Sequence, residues 1–300
     1  GFQIPPVGKD DCIPFKPSKQ KELKIGVAIL SEIVRQTNGS PIIELATAIR
    51  ERQPGALDIR TSVFSEYGNL YFLPKIQKEQ LYQICDNYFN NEFFKAYPDY
   101  MKVIAYRNDT VNAINAKVRN IIYGEGVLPK IKIGEKLVAD APITYHGGDK
   151  VLYTTNDEFE VVDFKIESRL TYKSKDVEIN CKYYDVTTKN INGDLITIAI
   201  IHESEEPALN AITKMLKDRA LSVQDPGIRK WAWKTFFEVD RHFAKVKYNY
   251  AITGHKSQGS SFQNCMVLMW DIMQNFKKLE AERILYVALT RPRHNLCIIN

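Results

Sequence analysis

The sequence predicts an α/β domain that is interrupted by a β-rich insertion. Three observations lead to this fold class. The first third of the chain alternates short apolar runs with helical patterns, the pattern changes to a period of two residues from about Glu135, and the last fifty residues return to alternating strands and helices. Alternating strands and helices indicate a sheet covered by helices, whereas period-two runs joined by polar turns indicate antiparallel pairing.

In the first third, caps and spacing predict three helices and one buried strand. Ser40-Pro41 opens the first helix, because serine suits the N-cap and proline the first helical position. Asn108 or Asp109 caps the third helix, and Gly124 ends it. The helices are expected at 40–52, 77–95 and 108–123, and the strand at 102–106.

The rest of the chain predicts the insertion and then a second set of α/β elements. Asn156-Asp157 and Asn192-Gly193 are hairpin-turn pairs between apolar runs, which favours a small antiparallel barrel or sandwich. Helices are expected around 209–220, 228–243 and 279–289, and strands at 149–153, 159–166, 177–186, 195–201, 248–253, 265–269 and 296–299.

Composition narrows the class of protein. Hydrophobic residues make up 44% and charged residues 26% of the 300 residues, which excludes intrinsic disorder and collagen. No apolar run reaches the ~20 residues that span a bilayer, so no membrane partner is expected. The net charge of +5 permits a polyanionic partner without requiring one. Five scattered cysteines without a CxxC pair indicate neither a disulfide framework nor a zinc site, and they fit the reducing cytoplasm.

The most informative stretch is 253–262 (TGHKSQGSSF), which lies between two apolar strands. A polar, glycine-containing turn that leaves a buried strand presents backbone N–H groups, hydroxyls and a lysine together, and a phosphodiester backbone is bound by such groups. Taken alone, the stretch is more readily explained as a solvated turn between a strand and a helix. Near the C-terminus, residues 285–293 (LYVALTRPR) place arginines at the end of an amphipathic helix.

Together these two stretches resemble motifs V and VI of superfamily 1 helicases, specifically the branch that contains RecD and the bacteriophage Dda helicase. Three further segments resemble the same family in the same order. They are 3–7 (QIPPV), similar to the tail of motif III; 33–36 with 40–43, similar to motif IV; and 104–108 with Val111, Asn115 and Arg119, similar to motif IVa.

The resemblance implies the domain organisation. Residues 1–16 would be the tail of a first RecA-like domain and a linker, 17–123 and 248–300 a second RecA-like domain with a parallel sheet and flanking helices, and 124–247 an inserted SH3-like β-barrel with added helices. Most of the first RecA-like domain would lie upstream of Gly1, so the chain is expected to be a fragment of a longer helicase.

The resemblance also implies a nucleotide site shared with that missing domain. Gln3 matches the motif III glutamine near the γ-phosphate, and Gly259 is counted with the nucleotide contacts. Arg35 and Arg291 match the arginines of motifs IV and VI, which stabilise the transferring phosphoryl group and are the expected catalytic residues. A planar, permanently charged guanidinium suits that role. The alternative is that Arg291 offsets the macrodipole at a helix C-terminus.

Single-stranded DNA is the ligand that the resemblance implies for the other motif residues. They are Arg107, Asn108, Thr253, His255, Lys256, Ser257 and Gln258. Contacts of this kind reach the DNA backbone, carry no sequence information and weaken with salt. A second group, Trp231, Trp233, Phe236 and Phe237, could stack bases, but core packing is the favoured interpretation.

The chain lacks the P-loop sequence GxxxxGKS or GxxxxGKT that cradles ATP phosphates, and it lacks an acidic strand end for Mg²⁺. Gly254-His255-Lys256-Ser257 imitates the end of a P-loop, but the upstream glycine is missing. ATP and Mg²⁺ are therefore expected as cofactors of the intact enzyme, with their main ligands outside this chain. We expect no ATP hydrolysis by these 300 residues alone.

The predicted function is the C-terminal portion of an ATP-dependent 5′–3′ DNA helicase. Two alternatives remain: a non-enzymatic nucleic-acid-binding module, and a RecD-like subunit of an exonuclease complex. The expected partners are single-stranded DNA, the missing N-terminal RecA-like domain, and replication, repair or recombination proteins. A cytoplasmic location and a bacterial or phage source are expected.

Overall fold

The computed structural model describes residues 39–97, 99–145, 148, 150–173 and 178–300, without the side chains of 168–173. Gln3, Arg35 and the predicted domain at 1–16 lie outside the described residues. In the first part the elements are α1 (Pro41–Arg50), β1 (Val63–Ser65), β2 (Gly68–Leu73), α2 (Lys78–Phe89), α3 (Glu92–Ala96), β3 (Met101–Ala105) and α4 (Asn108–Tyr123). In the middle they are β4 (Lys136–Ala139), β5 (Ile143–Thr144), β6 (Val151–Tyr153), β7 (Glu158–Lys173), β8 (Glu178–Asn190), β9 (Leu195–Ile201), α5 (Glu206–Ser222) and α6 (Pro226–Asp240). In the last part they are β10 (Val246–Tyr248), β11 (Ala251–Thr253), β12 (Phe262–Leu268), α7 (Met269–Ile272), α8 (Lys278–Leu289) and β13 (Pro292–Ile299).

A six-stranded sheet combines strands from both ends of the chain, in the order β1-β2-β13-β12-β3-β11. All neighbouring pairs are parallel except β1 with β2. Apart from the edge strand β1, the sheet is covered on both faces: α1 and α8 pack on one side, and α2 and α4 pack on the other. This arrangement explains the continuous apolar runs at 103–105 in β3 and 265–268 in β12. The mixed α/β fold with a parallel sheet is therefore confirmed, and it is consistent with a RecA-like domain.

The middle of the chain forms a second, five-stranded antiparallel sheet in the order β10-β4-β7-β8-β9. Its long hairpin, β7 with β8, carries alternating buried and exposed residues in β8, as period-two sequences predict. One apolar cluster lies between β4, β7, β8 and β9, and a second joins β8 and β9 to α5 and α6. The β-rich insertion is thus present, whereas an SH3-like barrel stays a prediction.

Two predicted elements are corrected by the structure. The single strand expected at 248–253 is two strands, because β10 pairs with β4 in the second sheet while β11 pairs with β3 in the first. The single helix expected at 77–95 is broken at Asn90-Asn91, where the Asn91 side chain accepts a hydrogen bond from Phe94 N and begins α3. The sequence interpretation also missed the hairpin of β1 and β2, whose first strand is three residues long and mostly exposed.

The passage from one sheet to the other is held by two polar side chains of α4. Asn115 Oδ1 accepts hydrogen bonds from Tyr250 N and Ala251 N, and its Nδ2 donates to Ala251 O, so the amide covers the start of the edge strand β11. Arg119 forms a two-pronged ion pair with Glu135 at 2.7 and 2.9 Å, just before β4, and both side chains are buried. The guanidinium also stacks 4.1 Å from the centroid of the Tyr248 ring.

Replacement of Glu135 by glutamine should destabilise the fold. In Glu135→Gln the buried Arg119 guanidinium would lose its counter-charge, and removal of one partner of a buried pair costs about 3 kcal/mol or more. Urea unfolding measures the change. Glu160→Gln is the matched control, because Glu160 makes a partly exposed pair with Lys136, and such pairs contribute under about 1 kcal/mol. Equal losses in the two variants would contradict the role given to the Arg119–Glu135 pair.

Candidate nucleic-acid interface

The candidate interface lies at the carboxyl ends of β3 and β11. These strands are parallel neighbours with Thr253 opposite Ala105, and Gly254 N donates to Ala105 O at 2.8 Å. The segment that follows β3 and the turn that follows β11 therefore emerge side by side. Open α/β sheets bind ligands at this edge. The structure thus brings Arg107 and Asn108 next to the 253–261 turn, although they are about 150 residues away in sequence.

The turn is held by its own backbone and hydroxyl groups. Thr253 O accepts from Ser257 N at 3.0 Å, and Thr253 Oγ1 accepts from Lys256 N at 3.3 Å. The Ser257 side chain is fully buried and donates to Gly254 O at 2.7 Å. The Ser257 hydroxyl thus lies beneath the turn and shapes it, and the expected contact between Ser257 and DNA stays a prediction. Thr253 also supports the turn, whereas His255 and Gln258 are exposed.

Gly254 is required by a close approach between the turn and α8. A Cβ atom built on Gly254 would lie 2.4 Å from Ile284 Cγ2, a distance that side chains cannot adopt without a shift of the turn. Gly259, the proposed nucleotide contact, is exposed and has a φ of +91°, which favours glycine for conformational reasons.

Hydrogen bonds of the Arg291 side chain join the turn to the end of α8. Its side chain is 8% exposed, and Nε donates to Val287 O at 2.8 Å. The η1 nitrogen donates to Ser260 O at 3.2 Å and lies 3.5 Å from Ser257 O. The contact with Val287 O is consistent with the alternative in which Arg291 offsets the macrodipole at the C-terminus of α8. The role of Arg291 in phosphoryl transfer stays a prediction, and in the described conformation the guanidinium is engaged with carbonyl oxygens.

The lysine of the turn faces a carboxylate from the insertion. Lys256 Nζ lies 2.7 Å from Asp140 Oδ1, and Lys247 Nζ lies 3.1 Å from the same oxygen. Partial burial of Asp140 opposes its ionisation, but hydrogen bonds from Lys256 and Lys247 outweigh it and hold the pKa of Asp140 below its ordinary value. The Asp140 carboxylate thus lies where an anionic ligand of Lys256 would bind. His255 also lies beside a carboxylate, because its Nε2 is 3.6 Å from Glu280 Oε1.

Arg107 is positioned by Asp271, a residue that the sequence interpretation missed. The Asp271 carboxylate is fully buried and accepts hydrogen bonds from the backbone N–H groups of Tyr106 and Arg107, from Arg107 Nε at 2.7 Å and from Thr110 Oγ1. Burial opposes its ionisation, but the bonds from Arg107, Thr110 and Tyr106 lower the pKa of Asp271. Its stabilising contribution is therefore present above the ordinary carboxyl pKa and is lost as the pH falls through the lowered value. The sequence contained a signal for this carboxylate, since Asp271 comes three residues after the end of β12, whose last four residues are apolar.

Part of the chain matches the model of a known protein family. Residues 248–299 match the model of the UvrD-like helicase C-terminal domain. This segment contains both the 253–261 turn and Arg291, and the match supports the resemblance to the C-terminal half of a superfamily 1 helicase. The RecD and Dda branch stays a prediction.

Individual relatives are more distant. The uncharacterized protein R530 of Acanthamoeba polyphaga mimivirus is 20% identical over 340 residues, which cover 98% of this chain and 66% of that protein. The Pif1 helicase of Candida albicans aligns with 14% identity and a TM-score of 0.44, over 90% of this chain and 55% of that one. The Bacteroides Pif1 helicase in complex with ADP-AlF3 and ssDNA aligns with 13% identity and a TM-score of 0.42, over 89% of this chain and 50% of that one. The chain therefore spans about half to two thirds of the length of these proteins. A bacterial or phage source stays a prediction. Within the described ranges, no helix has the length and apolar character needed to cross a membrane.

A double-mutant cycle tests the contact between the turn and α8. Gly254→Ala should destabilise the protein by about 1–3 kcal/mol, because the added methyl group overlaps Ile284 Cγ2. In an Ile284→Ala background that carbon is absent, so the same change should cost much less. Thermal or urea unfolding of the four proteins gives the coupling energy. Additive losses would show that the overlap does not decide why glycine stands at this position.

Proposed function

We propose that this chain is the C-terminal portion of an ATP-dependent 5′–3′ DNA helicase and that the edge formed by β3 and β11 binds single-stranded DNA. The observation that carries the proposal is the family match at 248–299, which coincides with a polar turn at the ligand-binding edge of a parallel sheet. The domain boundaries at 17–123 with 248–300 and at 124–247, the RecA-like and SH3-like domains, and the direction of movement belong to the same proposal and are supported by the ordered motifs.

The proposed DNA contacts are polar groups around the turn: Arg107, Asn108, His255 and Gln258, which are exposed, and Lys256, which is partly exposed. They supply two permanent cations, a histidine and two amides, and phosphate oxygens accept from all of these. None of these groups has to read a base, which suits a protein that moves along a strand. In the free chain Lys256 is neutralised by Asp140, and Arg107 by Asp271. DNA phosphates would compete with Asp140 for Lys256.

The ATP-dependent step would belong to the longer protein. Among the described residues the motif VI arginine is buried against carbonyl groups, and the sequence contains no P-loop. These residues do not by themselves fit an ATP–Mg²⁺ site, so no hydrolytic step is derived from them. The roles proposed for Gln3, Arg35, Gly259 and Arg291 require the first RecA-like domain.

A non-enzymatic nucleic-acid-binding module is the second candidate function. The engagement of Arg291 with Val287, Ser257 and Ser260 favours it, because in that arrangement the guanidinium acts on the shape of the turn. The two candidates share the DNA-binding edge and differ in whether a P-loop domain accompanies it.

Charge changes at the turn should move DNA affinity in opposite directions. Lys256→Ala should weaken the binding of a labelled oligothymidylate and reduce the slope of log K against log salt by about 0.7, the value for one phosphate contact on a single strand. Asp140→Asn should strengthen binding, because it removes the competing carboxylate. Fluorescence anisotropy at two ionic strengths measures both effects.

Lys95→Ala is the matched control for this test. Lys95 also pairs with one carboxylate oxygen at 2.7 Å, that of Glu92, but it lies on α3, outside the proposed edge. The Lys95→Ala substitution removes the same net charge as Lys256→Ala and should leave the affinity for oligothymidylate nearly unchanged. An equal loss in both lysine variants, or a loss in Asp140→Asn, would count against the proposed site.

We also expect no DNA-stimulated ATP hydrolysis from the purified 300 residues, because the sequence holds no P-loop. A coupled phosphate-release assay with and without oligothymidylate measures turnover. Turnover that is abolished by Arg291→Ala would overturn the expectation and place an ATP site within this chain.

A further inference from the structure

One face of α6 carries a row of basic and aromatic side chains. Lys230, Lys234, Phe237 and Arg241, which directly follows the helix, recur at i, i+4, i+7 and i+11, the spacing of a single helix face, and all four are exposed. Trp231 borders the row and is 39% exposed, close to the 40% of Phe237. We call these five residues the α6 face.

The side of α6 opposite the α6 face packs against the apolar core and holds the helix in place. Ala232, Thr235 and Val239 on the opposite side of the helix are buried, and Val239 belongs to the apolar cluster between α5, α6, β8 and β9. Phe237 also stacks against the Trp233 ring, with centroids 5.7 Å apart and planes at 27°. Core packing was the favoured interpretation for the whole aromatic group. The structure divides the group into two accessible rings, Trp231 and Phe237, and two that are more buried, Trp233 and Phe236.

A guanidinium lies over each accessible ring. Arg241 Cζ lies 4.7 Å from the centroid of the Phe237 ring, and Arg219 Cζ of α5 lies 5.7 Å from that of Trp231. Each pair joins a permanent cation, which suits a phosphate, to an aromatic ring whose remaining exposed surface suits a base. Proteins that bind single strands combine these two elements: positive charge follows the backbone, and aromatic rings stack successive bases.

A series of lysines and aspartates leads from the α6 face to the proposed DNA edge. Four residues after Arg241, Lys245 pairs with Asp240 at 2.6 Å, and its carbonyl accepts from Asp140 N at 2.8 Å. Asp140 in turn contacts Lys247 and Lys256. Lysines thus succeed one another from the end of α6 to the 253–261 turn, with Asp240 and Asp140 between them.

We propose that the α6 face is a second binding site for single-stranded DNA, in which Lys230, Lys234 and Arg241 contact phosphates and Phe237 and Trp231 stack bases. The site extends the path that begins at Lys256. The inference rests on the proposed function for the ligand, but it places the contact on the insertion, outside the helicase motifs. The match of a cationic row with a polyanion, and of flat rings with bases, favours this ligand over an acidic protein segment.

The backbone contacts are tested by a charge-removing triple variant, Lys230→Gln/Lys234→Gln/Arg241→Gln. Its affinity for an oligothymidylate of about 20 nucleotides should fall about tenfold, and the salt slope should fall by about 2, the value for three phosphate contacts. Lys75→Gln/Lys95→Gln/Lys189→Gln removes three exposed lysines elsewhere and is the control, with an expected change of less than about twofold. Equal losses in the two triple variants would overturn the proposal.

The stacking contacts are tested with an abasic oligonucleotide of the same length and charge. Wild-type protein should bind oligothymidylate more tightly than the abasic strand, and Trp231→Leu/Phe237→Leu should remove most of this difference. Since both rings are accessible, thermal unfolding should change little, which separates a lost contact from a lost fold. Equal wild-type affinity for the two strands, or competition by polyglutamate at a concentration as low as that of oligothymidylate, would show that the face binds acidic partners by charge alone and would overturn the proposal.

The two proposals fail in different ways. If Lys256→Ala weakens binding and the α6 variants behave as their control, the second site is wrong and the proposed edge stands. If the α6 variants weaken binding and Lys256→Ala behaves as Lys95→Ala, the proposed edge is wrong and the second site stands. Absence of oligothymidylate binding by the wild-type chain would overturn both.

Discussion

The amide of Asn115 is the interaction on which the arrangement of the two sheets depends. It completes the hydrogen bonding of Tyr250 and Ala251 at the point where the chain leaves the second sheet and enters the first. Without it, the buried backbone groups at the start of β11 would lack partners, which is costly in the interior. Because β11 is an edge strand of three residues, the position of the following turn depends on this anchor.

The candidate DNA edge is rigid in its backbone and balanced in its charge. Ser257, Gly254 and Arg291 hold the turn against α8, while the accessible cation Lys256 faces Asp140. A polyanion that approaches the edge therefore exchanges one ion pair for another rather than meeting an unpaired charge. Such exchange lowers the net gain from each contact. Binding would still weaken with salt, because each phosphate that is neutralised releases counterions from the DNA.

The motif residues could be identified from the sequence, but their individual roles could not. The string at 253–262 showed that a polar turn follows a strand, and the structure shows that Ser257 supports the turn while His255 and Gln258 are exposed. Asp140 and Asp271 escaped notice because their partners lie more than 100 residues away. Spacing along the chain carries no information about such pairs.

The sequence by itself determined most of the elements and the order of the helicase-like motifs, because helix caps, apolar periodicity and local strings act over a few residues. It also determined that a β-rich segment interrupts an α/β fold. Only the tertiary structure decided that 248–253 divides between two sheets, that Arg291 binds the turn, and that the exposed side of α6 is both basic and aromatic. These features depend on which surfaces the packing covers, and burial of a side chain is set by contacts between distant segments.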